Sequence, residues 1–183
     1  MRDVEQRSGM GTIVDANTVR FERLLPGPIE RVWAFLTESE KRGKWFASGE
    51  LELRVGGKVT LFFRHADLSP YNETPPDKYK QFANGVESTG LIMACEPPRL
   101  LSFIWGDKPD DSVVTFELTP RGNDVLLVLT HRRLRDRDEM INVAGGWHSH
   151  LSVLADHLYG RTPQHFWPMV TKWEAEYGRR FAQ

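Results

Sequence analysis

The chain has 183 residues, 24 Lys and Arg against 25 Asp and Glu, a formal net charge of -1, and 40% hydrophobic residues. That is room for one domain with at most an extension, and the balance excludes a nucleic-acid binder carried by bulk positive charge. Composition also excludes an acidic disordered tail, a collagen-like chain and a disulfide scaffold. No apolar run approaches the roughly 20 residues that span a bilayer, and the opening MRDVEQRSGM is too polar for a secretory signal. A single cysteine, Cys95, has no partner for an internal disulfide or a Cys-based zinc site, so a reducing cytoplasm is the expected setting. The unusual feature is aromatic: six tryptophans and ten phenylalanines must fill a large core or line a cavity.

In chain order, residues 1–11 show no periodicity and predict a mobile tail, ahead of a domain over 12–160 and a helical extension over 161–183. Residues 12–25 read as one strand, because Val19 and Phe21 alternate with Arg20 and Glu22. Pro28 suits the first turn of a helix whose inner face carries Ile29, Val32, Trp33 and Leu36. A second short helix is expected over 39–45. The period then shortens. Leu51, Leu53 and Val55 alternate with charged residues, and Val55-Gly56-Gly57-Lys58 reads as a tight hairpin into a strand over 59–64. Residues 65–85 form a long loop, a length that in a compact domain points to a functional lid or a disordered segment.

Four more strands are expected over 87–95, 100–105, 112–119 and 125–132, and the mixed-charge run 132–139 reads as a solvated connection. A long helix over 142–158 places Trp147, Leu151, Leu154 and Leu158 on one stripe, with Gly160 at its C-terminal cap. In the last helix, between residues 163 and 181, Met169, Val170, Trp173 and Tyr177 share a face. That face would cover the chain's own domain or a second copy in a homodimer. Consecutive strands with segregated helices define an α+β domain built on an antiparallel sheet.

Several stretches resemble one family. The segment Pro28-Ile29-Glu30-Arg31-Val32-Trp33-Ala34-Phe35-Leu36-Thr37, followed by Lys44-Trp45-Phe46, is similar to the opening helix pair of the activator of heat-shock-protein ATPase homologue family. Gly56-Gly57-Lys58 and the run Glu96-Pro97-Pro98-Arg99-Leu100-Leu101-Ser102-Phe103-Ile104-Trp105 resemble its central hairpins. Ser112 to Pro120 and Leu129-Thr130-His131 resemble its last two strands, and Gly146-Trp147 with Leu151 and Leu154 its long C-terminal helix. The resemblance implies a helix-grip fold, that of the START-like SRPBCC superfamily, which includes START lipid-transfer domains, pollen-allergen-like proteins and polyketide cyclases. In it a curved antiparallel sheet of six to seven strands wraps a long C-terminal helix, with two short helices after the first strand. Many relatives keep an apolar cavity between sheet and helix.

On this frame Trp33, Trp45, Phe46, Trp105 and Trp147 face the interior, as cavity walls or as ordinary core. Phe62 and Phe63 alternate, so only one can point inward, and Phe62 is placed with the cavity. Phe116, Leu129, Leu151 and Leu154 complete the expected wall, and Tyr71, Tyr79 and Phe82 belong to the expected lid. His131 shares strand parity with Val125, Leu127 and Leu129, and His150 lies one turn from Trp147. Such a pair could orient a polar ligand group or serve as general acid and base, or simply fix the core. No metal site is expected: His148 and His150 are two apart on a helix, and no HExxH or Cys/His cluster exists. There is no G-x-S-x-G elbow and no Walker motif, so no catalytic residue and no cofactor is assigned. Three functions follow: binding a small hydrophobic or aromatic molecule; a cyclase- or hydrolase-like enzyme using the two histidines and Glu117; or a stress-response, co-chaperone-like protein acting by surface contact.

Overall fold

The computed structural model describes residues 9–182. The first strand region is a hairpin, not one strand: β1 (Thr12–Asp15) turns through Ala16 and Asn17 into β2 (Thr18–Pro26). The Asp15 carboxylate accepts the Asn17 N–H at 2.8 Å, an Asx turn that reverses the chain where periodicity alone reads through. Two helices follow, α1 (Ile29–Thr37) and α2 (Ser39–Gly43). Residues 51–55 are not a strand, despite their alternation. Only isolated bridges, Ser48 with Phe62 and Leu51 with Val59, join this stretch to β3 (Lys58–Phe63). Leu53 and Val55 are exposed, so no apolar face holds the alternation to a sheet.

Beyond the loop come β4 (Val86–Glu96), β5 (Leu100–Trp105), β6 (Ser112–Arg121) and β7 (Asp124–Arg132). All seven strands pair antiparallel in the order β1-β2-β7-β6-β5-β4-β3. Register aligns the inward rows across the sheet: Phe21 opposite Leu129, Leu129 opposite Phe116, Phe116 opposite Leu101. Helix α3 (Arg137–Leu158) packs on the concave face of this curved sheet. It starts five residues before the expected Asn142. Asp136 accepts the Glu139 N–H at 2.8 Å, and the Glu139 carboxylate accepts the Arg135 N–H at 2.6 Å. The mixed-charge run is thus the helix cap, its carboxylates at the positive end of the dipole.

The last helix, α4 (Phe166–Arg180), packs against α3 of the same chain. Its stripe of Val170, Trp173 and Tyr177 is covered there, so that stripe is no longer a free surface for a second copy. Gly145 makes the close approach possible, since a Cβ on it would meet Glu174 side-chain and backbone atoms at 2.5 and 3.0 Å. Of the expected tail, residues 1–8 lie outside the described residues. Gly9 and Gly11 are tied down, by Arg23 and by the Tyr177 hydroxyl.

Candidate functional site

Sheet, loop, α3 and α4 enclose a cavity of about 310 Å³, partly open to solvent. Its floor comes from the segment after α2, held by Arg42 of that helix, which is buried without an ion pair among the described residues. The Arg42 guanidinium donates to the carbonyls of Ala47, Thr37 and Gly49, and so ties the chain on either side of Trp45 and Phe46. Burial pulls its pKa down to about 10, against the attraction of Glu50, so it stays charged. The indole N–H of Trp45 donates to Phe35 O at 2.7 Å, and its ring stacks under Phe46.

Phe46 reaches the cavity and stacks on Trp147 of α3 at 4.9 Å. From the sheet come Phe63 and Trp105, stacked at 5.5 Å with planes 7° apart, beside Val86 and Ser88. The α3 wall is Asn142, Val143, Gly146, Trp147 and His150. The opposite side is the 65–85 loop, through His65, Tyr79 and Phe82, together with Phe166, Trp167 and Val170 of α4. No Asp, Glu, Lys or Arg is among these residues.

The loop is fastened rather than loose. The Glu73 carboxylate accepts the N–H groups of Phe166 and Trp167 at 2.9 and 3.0 Å, capping α4 from a distance of more than ninety residues in sequence. Tyr79 donates its hydroxyl to Glu174, and Lys78 bridges Glu174 and Asn142. Burial first, then the Glu174 contact, drive the Tyr79 pKa upward, keeping that hydroxyl a donor.

The histidines divide into two kinds. His131 is saturated: its Nδ1 accepts the Trp147 indole N–H at 3.0 Å, and its Nε2 meets the Ser112 hydroxyl at 2.8 Å. An indole N–H only donates, so the His131 proton sits on Nε2 and neither it nor Trp147 has a polar atom left for a ligand. His150 is bound on one side only. Its Nδ1 sits 2.8 Å from Trp45 O, an acceptor, so Nδ1 carries the proton and Nε2 is a bare acceptor at the cavity. The His65 ring, in a cage of Phe82, Phe166 and Trp167, makes no hydrogen bond among the described residues, and its Nδ1 is buried. Burial lowers the pKa of His65 to about 4 and those of His131 and His150 to about 3, with the nearby His65 adding to the effect on His150. All three are neutral at neutral pH.

Of the residues expected at a cavity, Phe46, Trp105, Trp147, His150, Tyr79 and Phe82 meet there. Others fall elsewhere. Phe62 points away: the alternation in β3 buries Val59, Leu61 and Phe63, leaving the Phe62 ring 38% exposed and packed over Gly85. Trp45, Phe116, Leu129, Leu151 and Leu154 are buried core, and His131 lies behind Trp147. Trp33 is half-buried at the core's edge. Tyr71 stacks on His165 at 3.9 Å outside the cavity, and Glu117 faces solvent on the convex side. Sequence reasoning missed Phe63, whose parity with Val59 and Leu61 was a readable signal. It also missed His65, Phe166 and Trp167, which no local pattern connects to the sheet. Among the described residues no three His, Cys, Asp or Glu side chains converge as a metal cluster, and no helix is long and apolar enough to cross a membrane.

A curved seven-stranded sheet gripping α3 is the helix-grip architecture, and residues 26–159 match the family model of the Activator of Hsp90 ATPase homolog 1-like proteins. The chain belongs to that family. It is similar to a protein of Bordetella parapertussis of known solution structure, at 45% identity over 94% of this chain and 90% of that one, with a TM-score of 0.79. Two more distant likenesses concern the fold alone. CalU16 of Micromonospora echinospora is 23% identical over 94% and 92% of the two chains, TM-score 0.65. A conserved protein of unknown function from Enterococcus faecalis is 18% identical over 98% and 94%, TM-score 0.69. No curated protein matches the sequence.

Proposed function

We propose that the chain binds a small, flat, largely apolar molecule between sheet and long helix. The observation that carries this is an aromatic-walled space left unfilled beside two imidazoles that each keep a nitrogen without a protein partner. Its volume, about 310 Å³, is at the lower end for small-molecule sites and roughly twice that of a cavity that holds benzene. Gly146 supports the reading. A glycine inside a helix costs roughly 1 kcal/mol relative to alanine, and here a Cβ would meet nothing within 4 Å. The residue saves no protein contact; it keeps the cavity wide.

Catalysis in the same space is the second reading, favoured by two imidazoles facing one cavity. A general base works best with a pKa near the operating pH, and those of His65 and His150 lie well below it. Binding is therefore the better-supported role. A cytoplasmic setting suits the lone, unpaired Cys95.

The test uses naphthalene as probe, read by quenching of tryptophan fluorescence. Saturable one-site binding by the natural chain, abolished in a folded Gly146→Leu variant, is the expected result. Absence of saturable quenching, or equal binding by the variant, would overturn the proposal.

A further inference from the structure

The polar groups of the cavity go further than its walls and name a ligand class, an inference that rests on the cavity being a binding site. We propose that the cavity takes an uncharged hydroxylated aromatic ring, a phenol, whose hydroxyl is held jointly by His150 and His65 while the ring occupies the space beside Gly146.

His150 presents one bare acceptor, because its other nitrogen is committed to Trp45 O. A bare acceptor in an apolar wall selects a donor. His65 is neutral as well, so it offers one N–H and one lone pair, with no protein partner for either. Leaving a buried polar atom unsatisfied costs roughly 1–3 kcal/mol, and the apolar cage of Phe82, Phe166 and Trp167 around His65 does nothing to offset it. A hydroxyl answers both rings at once, since it donates one hydrogen bond and accepts another. The ring centroids are 5.7 Å apart. One oxygen at about 2.9 Å from a nitrogen of each imidazole can serve rings up to roughly 8 Å apart, so the pair is within reach of a single atom.

The lining also says what is refused. With no charged side chain on the wall, a carboxylate or ammonium would be buried unpaired, at a large desolvation cost. An ether or ketone brings only acceptors and leaves His150 Nε2 facing a lone pair. A plain hydrocarbon fits but leaves His150 Nε2 and the His65 ring unpartnered. Flat rings on the sheet side, Phe63 and Trp105 at 7° to one another, and the side-chain-free surface at Gly146 favour a planar body over a branched aliphatic alcohol.

Calorimetric titration of the full chain at pH 7.5 with naphthalene, 2-naphthol, 2-methoxynaphthalene and 2-naphthoate tests this. The expected order puts 2-naphthol first, about tenfold or more tighter than 2-methoxynaphthalene, with 2-naphthoate weakest. His65→Phe removes an imidazole whose ring bonds to nothing among the described residues; in the folded variant the preference for 2-naphthol over 2-methoxynaphthalene should be mostly lost. Equal affinity of the natural chain for 2-naphthol and 2-methoxynaphthalene overturns the phenol assignment and leaves the binding cavity standing. A preference unchanged in His65→Phe overturns the joint role of the two imidazoles. No saturable binding of any of the four overturns the cavity reading itself.

Discussion

The space between sheet and long helix has two ends built from the same residue types and finished differently. Under β2, β6 and β7 it is closed: Phe21, Leu129, Phe116, Leu151 and Leu154 interlock, and His131 has both ring nitrogens bonded. Under β3, β4 and β5 the aromatic rings stand around a gap, and two histidines keep free nitrogens. Hydrophobicity does not separate the two ends. Satisfaction of polar groups does, because a core histidine is tolerated only when its hydrogen bonds are made. The contrast teaches that an unpartnered imidazole, more than an abundance of rings, marks where a cavity expects company.

The strongest way to break this contrast is acid. His131, His148 and His150 are neutral in the fold with pKa values lowered to about 3, by burial first and, for His148, also by Arg23, Lys172 and Arg180. In the unfolded chain each titrates near 6.5, so unfolding takes up protons between these values. Stability is therefore fully present above pH 6.5 and falls as the pH drops toward 3, with a slope of about 1.4 kcal/mol per pH unit for each histidine that charges. Urea midpoints measured from pH 7.5 to 4 should fall steadily. A midpoint independent of pH would mean that these rings are not buried neutral.

Next in size is Trp147→Ala, at the border between the two ends. It removes a buried ring, about 3–5 kcal/mol, and strips His131 Nδ1 of its donor, a further cost of roughly 1–3 kcal/mol. A loss under about 2 kcal/mol in chemical denaturation would show that this ring serves the cavity and not the core. The smallest effect has the opposite sign. Gly146→Ala adds a methyl into empty space within a helix, and should stabilise the ligand-free chain by roughly 0.5–1 kcal/mol. A lower melting temperature would mean that the space beside Gly146 is already filled.

The closed end was the legible one. Alternation in β7 put Val125, Leu127, Leu129 and His131 on one face, and the α3 stripe of Trp147, Leu151 and Leu154 met it, because local period reports burial directly. Period and turn residues also gave the order of the elements; the family resemblance supplied their arrangement, a curved sheet wrapped around the long helix. The open end was harder for physical reasons. His65 sits in a segment without periodicity, so nothing local tells that it folds under Trp167. Trp167 itself seemed part of an outlying helix, whereas the glycine at Gly145 lets α4 lie close enough to bring it in. Residues 51–55 misled in the other direction: their alternation is genuine, but with no sheet neighbour along its length it holds only an isolated bridge.

Glu73 sets a tempo as well as a geometry. By gripping the first amides of α4 while Ser69 holds the same carboxylate, it makes one wall of the mouth and the start of the last helix a single jointed piece. Opening that side would expose helical N–H groups and a half-buried carboxylate together. For a guest of the kind proposed, dwell time would then follow how often that clasp opens, and two guests of equal affinity would share nearly the same slow exit.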